Sequence, residues 1–553
     1  MAIGWVGGSR NPGWPWVRGS GRADSGRAVP RPLAGLALAL VVAGCGSSVA
    51  TQSPLPSIVM TPTPWATASS LPTASPAGSP SPTAAAPPTP SGPAIFPLAV
   101  VVRYDDTRIA VSVPTLTAAL AGGTITIPCE VTYMGLGSTS LKISPATKCL
   151  PANRIEALVH QTAGVIGLLP PGLVTPSVKV LEVGTTDLFG APSHRAQVYQ
   201  LYGEATIPAD WAAYDQSQIR TLISTGATCP DRGVSYMAVT KNKGWDWVLD
   251  GGTVRYRRLT KSDLGWDVPV ILRNNDPGKV EALIADNDVS VNDFECPMVS
   301  PWVQHDTGTV FNVDPSVAKL LATKGGLKVV TLGSNHITDA KQTGVLQTLE
   351  YLDAAGIKHT GAGKTLSDAL APAVVDVRGL KFAFVGWDDI VGSAAATTTH
   401  PGVAPLNNDN VCNSLGNARQ EADVVIAMPQ WGWPEYHADI TKDQVAQRAL
   451  FYQCGADGIL GSGTHWASWV SIQSDVDGPK FAIGSHGNFL FDQSWSRQTM
   501  EGVIVEATFY GRKLVQFRLH PYVVVQGAQP NLLEPTGDGA YVLNQVWSNS
   551  KVP

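Results

Sequence analysis

An amide and an imidazole stand side by side in the stretch VVTLGSNHITDA (329–340), as Asn335 and His336. Imidazole is a frequent ligand for zinc, copper, iron and nickel, and an amide oxygen can serve a hard cation or orient a phosphate. The pair follows the β-leaning residues Val329, Val330, Thr331 and Leu332 through a turn of small residues, and Asp339 opens a helical pattern behind it. Polar side chains at the end of a strand are where α/β sheets often keep their chemistry.

The elements that must hold this pair lie in a back region, 244–545. Apolar runs at 382–387 (FAFVGW), 423–429, 457–462, 480–486 and 502–510 read as strands. Segments 343–356 and 443–455 read as helices between them; the first carries apolar residues at 345, 346, 349 and 352 and ends in Gly356. Such alternation implies a layered α/β domain.

Several short motifs of this region resemble those of the CapA family of capsule and poly-γ-glutamate synthesis proteins. The family's Gly-Asp, with an Arg five residues after the Asp, is met by Leu249-Asp250 and Arg255. Its Asn-Leu-Glu is met by Asp293-Phe294-Glu295, and its Asn-Asn-His by Ser334-Asn335-His336. The stretch YLDAAGIKHTGAGKTLSDAL (351–370) matches almost verbatim, and Ser485-His486-Gly487-Asn488-Phe489 meets the family's Ser-Leu-Gly-Asn-Phe. The resemblance implies a metallophosphatase-like, four-layer α/β/β/α sandwich. It also implies one or two divalent cations (Mn, Fe, Zn or Mg) held by Asp250, Glu295, Asn335, His336 and His465. Asn335, His336 and His465 would act in catalysis, and Arg255, Gln430, Trp431, Glu435 and Asn488 would touch substrate. Such a set could activate a water and clamp an anionic tetrahedral group.

The chain departs from the family at its histidines. The family's His-Trp-Gly-x-Glu-Tyr is met at 430–436, with Gln430 for the His and one residue inserted. Its Gly-His-His-Pro-His is met at 461–465, where only His465 remains. Gln offers an oxygen that suits hard cations better than borderline ones, and Gly463 offers no side-chain ligand. His486 stands open to two readings, a partial substitute or a core histidine bonded to backbone. Trp387, Trp431, Trp433, Trp466, Trp469 and Trp495 cluster near the motifs; core and rim packing is the favoured reading, a platform for a sugar or polymer the other.

The chain of 553 residues has room for two or three domains, and with 15% charged residues and a net charge of -5 it offers no electrostatic footprint for nucleic acid. Arg18, Arg22, Arg27 and Arg31 precede an apolar run, 33–44, too short to span a bilayer comfortably. Val42-Ala43-Gly44-Cys45 resembles a bacterial lipobox, which implies a signal peptide over 1–45, lipidation of Cys45 and anchoring to the outer face of the cytoplasmic membrane. A Pro/Ser/Thr/Ala-rich linker, 46–94, follows as a stalk.

A front region, 95–240, reads as a smaller α/β accessory domain, with strands near 96–102 and 108–113, a helix at 115–123 and apolar strands with tight turns over 159–184. Its GVIGLLP (164–170) and VKVLEVG (178–184) resemble part of a periplasmic solute-binding domain. Setting Cys45 aside, an even set of cysteines remains, and neighbour pairing joins Cys129 with Cys149 and Cys412 with Cys454.

Three functions of different class follow. The first is a cell-envelope CapA-like protein of capsule or poly-γ-glutamate synthesis or export, working with the capsule synthesis machinery and carrying a degenerate metal-dependent phosphoesterase-type site. The second is a non-catalytic surface lipoprotein that binds a polymer or a phosphate-type anion. The third is a solute-binding lipoprotein whose specificity lies in 95–240.

Overall fold

The longest apolar runs of the back region become strands buried on both faces. Ile219–Thr228 is buried along its whole length, as are Val289–Phe294 and Val424–Gln430. The computed structural model describes residues 92–550, except 142, and residue 552. The expected signal peptide, Cys45 and all but the last residues of the expected linker lie outside the described residues.

The fold is mixed α/β. A ten-stranded sheet runs in the order Asp267–Arg273, Thr253–Lys261, Gln529–Leu533, Lys513–Val525, Glu501–Tyr510, Ile219–Thr228, Val289–Phe294, Val329–Thr331 and Lys358–Thr360, with Asn488–Leu490 paired to the end of Ile219–Thr228. From Ile219–Thr228 to Lys358–Thr360 the pairing is parallel. A six-stranded sheet runs Ala373–Val377, Leu380–Asp388, Val424–Gln430, Gly458–Leu460, Lys480–Ile483 and Val470–Gln473, parallel through its four middle strands.

The sheets bury their apolar faces against one another. Leu222, Val291 and Val329 of the larger sheet share a core with Phe384, Ile426 and Phe481 of the smaller. On its other face the larger sheet packs Phe294 and Val330 against Val345, Leu349 and Leu352 of the helix Lys341–Ala355. The smaller sheet packs Val385 and Val425 against Leu415 and Phe451 of the helices Asn408–Glu421 and Lys442–Gln453. Lys341–Ala355 stops at Gly356, whose φ of 74° is the left-handed conformation a helix end favours. Thr441 and Gln444 form a capping box at the start of Lys442–Gln453.

Residues Pro88–Pro553 form one compact unit. The front region holds a five-stranded and a four-stranded sheet. Its segment 152–161, where strands were expected from 159 onward, is a helix, because Ala152, Ile155 and Val159 recur at helical spacing and are the residues it buries. The expected strand at 108–113 shrinks to Ala110–Val111, since Ser112 caps the helix Val113–Ala121 instead. Ile219–Thr228, inside the expected accessory domain 95–240, is a central strand of the larger sheet.

Polar contacts fasten the front region to that sheet: Gln516 Oε1 accepts from Val180 N at 2.9 Å, and Thr508 Oγ1 donates to Phe189 O at 2.7 Å. Buried Arg518 pairs with Asp187, and Arg195 with Asp288 at 3.2 Å. Disulfides join Cys129 to Cys149 and Cys412 to Cys454, as neighbour pairing expects, and also Cys229 to Cys296.

Candidate functional site

Parallel strands deliver their C-terminal ends to one side of a sheet, and here both sheets do so. Val289–Phe294 leads into Glu295, and Val329–Thr331 into Asn335 and His336. Leu380–Asp388 ends on Asp388 and Val424–Gln430 on Gln430, paired in register. Gly458–Leu460 leads to His465, and Lys480–Ile483 to His486 and Asn488. Gly226 is required at this junction: a Cβ there would lie 2.0 Å from Gly487 O, so only glycine lets the strand and the His486–Asn488 segment approach.

The floor is acidic. Asp293 and Glu295 are buried with their carboxyls against each other. Burial pushes Asp293 up to about 6. It pushes Glu295 well above the carboxylate range, helped by the neighbouring charge of Asp293 and then those of Glu435 and Asp388. Burial also pushes Asp388 up to about 7, although it accepts from Ile390 N at 2.9 Å and Ser393 Oγ at 2.7 Å. Adjacent buried carboxyls resist ionising together, which holds Glu295 towards its protonated form.

Amides and imidazoles form the walls. Gln430 Nε2 donates to Asn335 Oδ1 at 3.0 Å, while Gln430 Oε1 is buried without a partner. Asn488 Nδ2 donates to Thr499 O at 3.0 Å and Gln493 Oε1 at 3.1 Å, so its Oδ1 accepts from His465 Nδ1 at 2.7 Å. His465 therefore carries its proton on Nδ1 and leaves an Nε2 lone pair. His486 donates from Nδ1 to Gly461 O at 3.1 Å, and its Nε2 is buried and unpartnered. His336 directs Nδ1 at Asp339 Oδ2, 3.0 Å away. Burial lowers His465 and takes His486 down to about 4, so both imidazoles are neutral at physiological pH.

Aromatic rings connect these histidines. Phe311 meets His336 edge-on at 4.6 Å and Phe491 at 5.7 Å, and Phe491 lies 5.3 Å from His465. The Arg232 guanidinium sits 4.5 Å over Phe311 and 5.6 Å from Phe491. Arg232 also pairs with Asp492 and donates to Gly308 O at 2.7 Å.

Of the residues expected from the sequence, Glu295, Asn335, His336, Gln430, His465 and Asn488 come together at these strand ends. Glu435 joins them through its charge, which acts on both Glu295 and His465. Asp250 does not join: it follows the short helix Trp245–Val248, with its backbone bonded to Trp247 and Gly278. Arg255 is exposed on Thr253–Lys261, near the far edge of the larger sheet. Trp431 cannot face a substrate, because it is fully buried and its Nε1 donates to Gly484 O at 2.8 Å. Trp387 and Trp469 are likewise core, whereas Trp433 is 57% exposed.

The Gly-Asp spacing assigned to 249–255 also fits Gly226, Ala227 and Arg232, at a strand end beside the cleft, with Ala227 where the Asp would stand. Asp293 and Asp388 were not among the expected site residues. Asp293 stands inside the Asp-Phe-Glu motif, and Asp388 directly follows the FAFVGW run.

The donors do not fit the metal that the resemblance implies. Among the described residues no three His, Cys, Asp or Glu side chains group so that they could hold a metal ion. Asp250 is elsewhere, Ala227 brings no carboxylate, and Gln430, Ser462 and Gly463 occupy the positions of family histidines.

Residues 221–493 match the family described as bacterial capsule synthesis protein PGA_cap. The capsule biosynthesis protein CapA of Bacillus anthracis is 30% identical over 188 residues, covering 33% of this chain and 44% of that protein. The PGA biosynthesis protein CapA of Bacillus subtilis (strain 168) is 27% identical over 231 residues, covering 41% and 59%. The chain thus spans about half the length of these relatives. Among solved structures, the NAD nucleotidase NadN of Haemophilus influenzae aligns at a TM-score of 0.32 and 12% identity, covering 61% of this chain and 57% of that one. A 5'-nucleotidase precursor from Thermus thermophilus aligns at 0.32 and 12%, covering 57% and 56%.

Proposed function

Because the chain belongs to the CapA family through its 221–493 domain, we propose that it serves capsule or poly-γ-glutamate synthesis or export at the cell envelope, with a cleft that holds an anionic polymer. The observation that carries this reading is a cleft lined by polar groups with unused hydrogen-bonding capacity: Gln430 Oε1 and His486 Nε2 are buried without partners, and His465, bonded through Nδ1, keeps an open Nε2. Such acceptors bond the amide N–H groups of a polymer without a resident cation.

The metallophosphatase-like α/β/β/α sandwich belongs to this reading as its scaffold. A phosphoesterase with Mn, Fe, Zn or Mg is the second reading. The Nε2 atoms of His336, His465 and His486, left open by the partners of their Nδ1 atoms, favour it. The scattered donors favour the first. Equilibrium binding of poly-γ-glutamate to the purified chain tests the choice: binding that survives a chelator, without phosphoester hydrolysis, supports a holding cleft. Hydrolysis restored by one of these metals supports the second reading.

The arginine-rich leader and the Cys45 motif support a lipid anchor on the outer face of the cytoplasmic membrane. Among the described residues no helix is long and apolar enough to cross a membrane. Cys45→Ala is expected to release the protein from the membrane fraction; unchanged fractionation would refute the anchor.

A further inference from the structure

The hairpin formed by Thr253–Lys261 and Asp267–Arg273 carries charge opposite to the chain as a whole. Residues 253–273 hold Arg255, Arg257, Arg258, Lys261 and Arg273 against Asp263 and Asp267, in a chain of net charge -5. Arg255, Arg257 and Arg258 are exposed and have no ion-pair partner among the described residues. Lys261 alone of the exposed cations on that strand is tied down, to Asp267 at 2.8 Å. The register shifts between Tyr256 and Arg258, which makes Arg257 an extra, bulged residue. A bulge bends and twists its strand, and the three arginines lie at or beside it in the sequence.

The same hairpin exposes large apolar groups: Leu259 is 42% exposed, Leu264 69% and Trp266 44%. Trp266 continues towards the cleft. Its ring lies 6.4 Å from Trp466 and 6.0 Å from Trp495, both edge-on. Trp495 meets Tyr436 at 5.1 Å, and Tyr436 stacks on His465 at 5.5 Å. The arm is fixed at its base, where Tyr256 Oη donates to Glu501 at 2.6 Å and Arg497 lies 5.3 Å over the Tyr256 ring. Unpaired cations on a fixed arm, joined by aromatic faces to a polar cleft, match a linear polymer with anionic groups along an apolar backbone.

We propose that the 253–273 hairpin is a docking arm for a linear polyanion, which its arginines capture and which Trp266 leads across Trp495 and Tyr436 to the cleft. The inference rests on the cleft's being a polymer site. An anionic membrane surface would also attract arginines, but the contacts of Trp266 turn its ring towards the cleft.

The test measures binding of poly-γ-glutamate of fixed length by the full chain in detergent, at low and high salt, with anionic phosphatidylglycerol vesicles as a second probe. The variants are the triple Arg255→Ala, Arg257→Ala, Arg258→Ala, its all-Lys counterpart, and Trp266→Ala. The alanine triple is expected to bind the polymer about tenfold more weakly at low salt and to lose most of the salt dependence, because exposed charges act within a Debye length. The lysine triple should retain binding, and Trp266→Ala should weaken it at both salt concentrations. Native-like polymer binding by the alanine triple overturns the docking arm while leaving the cleft reading intact. Failure of the native chain to bind polymer at low salt overturns both. Loss of vesicle binding alone in the alanine triple overturns the arm in favour of a membrane contact.

Discussion

The amide of Gln430 donates to Asn335 Oδ1 at 3.0 Å, joining a strand end of the smaller sheet to the turn behind a strand of the larger. Both residues stand where the resemblance expected metal-site side chains, and they bond each other. Replacing Gln430 by Leu removes the donor and leaves a partly buried amide oxygen unsatisfied, which costs about 1–3 kcal/mol. Urea unfolding of Gln430→Leu is expected to show that loss, less what removing the unpartnered Gln430 Oε1 returns; unchanged stability would mean that this bond adds nothing net to the fold.

The Cys229–Cys296 disulfide ties the ends of two neighbouring parallel strands together, directly beside Glu295. It closes a loop with a sequence separation of 67 residues. Chain-entropy reasoning assigns such a loop about 4 kcal/mol. Cys229→Ala with Cys296→Ala should therefore unfold at markedly lower denaturant, and should bind polymer more weakly even where folded, because Glu295 loses its anchor.

The layered core was legible because continuous apolar runs alternate with helical spacing and glycine stops. The runs at 382–387 and 502–510 fall within strands, that at 423–429 does so from Val424 onward, and Gly356 ends its helix as expected. The site was half legible. Glu295 follows its strand directly, Asn335, His336 and His465 stand a short turn beyond theirs, and their motifs are short and local. Asp250 and Arg255 were misleading because a similar spacing occurs at 226–232, and only the pairing of Ile219–Thr228 with Val289–Phe294 shows which copy reaches the cleft. Asp388 gave no signal beyond its place after an apolar run, and its importance comes from burial. Cys229–Cys296 was hidden because the partners are distant in sequence and close only in the sheet.

His465 and His486 each donate from Nδ1, to Asn488 Oδ1 and Gly461 O. Long-range nitrogen–proton correlation spectra should show both rings as Nδ1–H tautomers, with His486 neutral even at about pH 6. Asn488→Asp should raise the His465 value by placing a carboxylate on Nδ1. A spectrum with His465 protonated on Nε2 instead would contradict the orientation described here.

Asp388 keeps its proton up to about pH 7 when folded but loses it near 3.8 when unfolded. Between those values the unfolded chain binds fewer protons, so this group's contribution to stability falls as pH rises. Asp388→Asn removes that slope. Relative to the native chain it should gain on the order of 4 kcal/mol across the window, read as the difference between the two stability profiles. A constant difference would show that Asp388 titrates as an ordinary surface carboxylate.

The most direct measurement is the metal content of the purified chain, combined with poly-γ-glutamate binding before and after chelation. A holding cleft built on Glu295, Asn335, Gln430 and His465 predicts metal well below one equivalent and polymer binding unchanged by the chelator. Near-stoichiometric Mn, Fe, Zn or Mg that disappears in His336→Ala, together with binding lost on chelation, would contradict it.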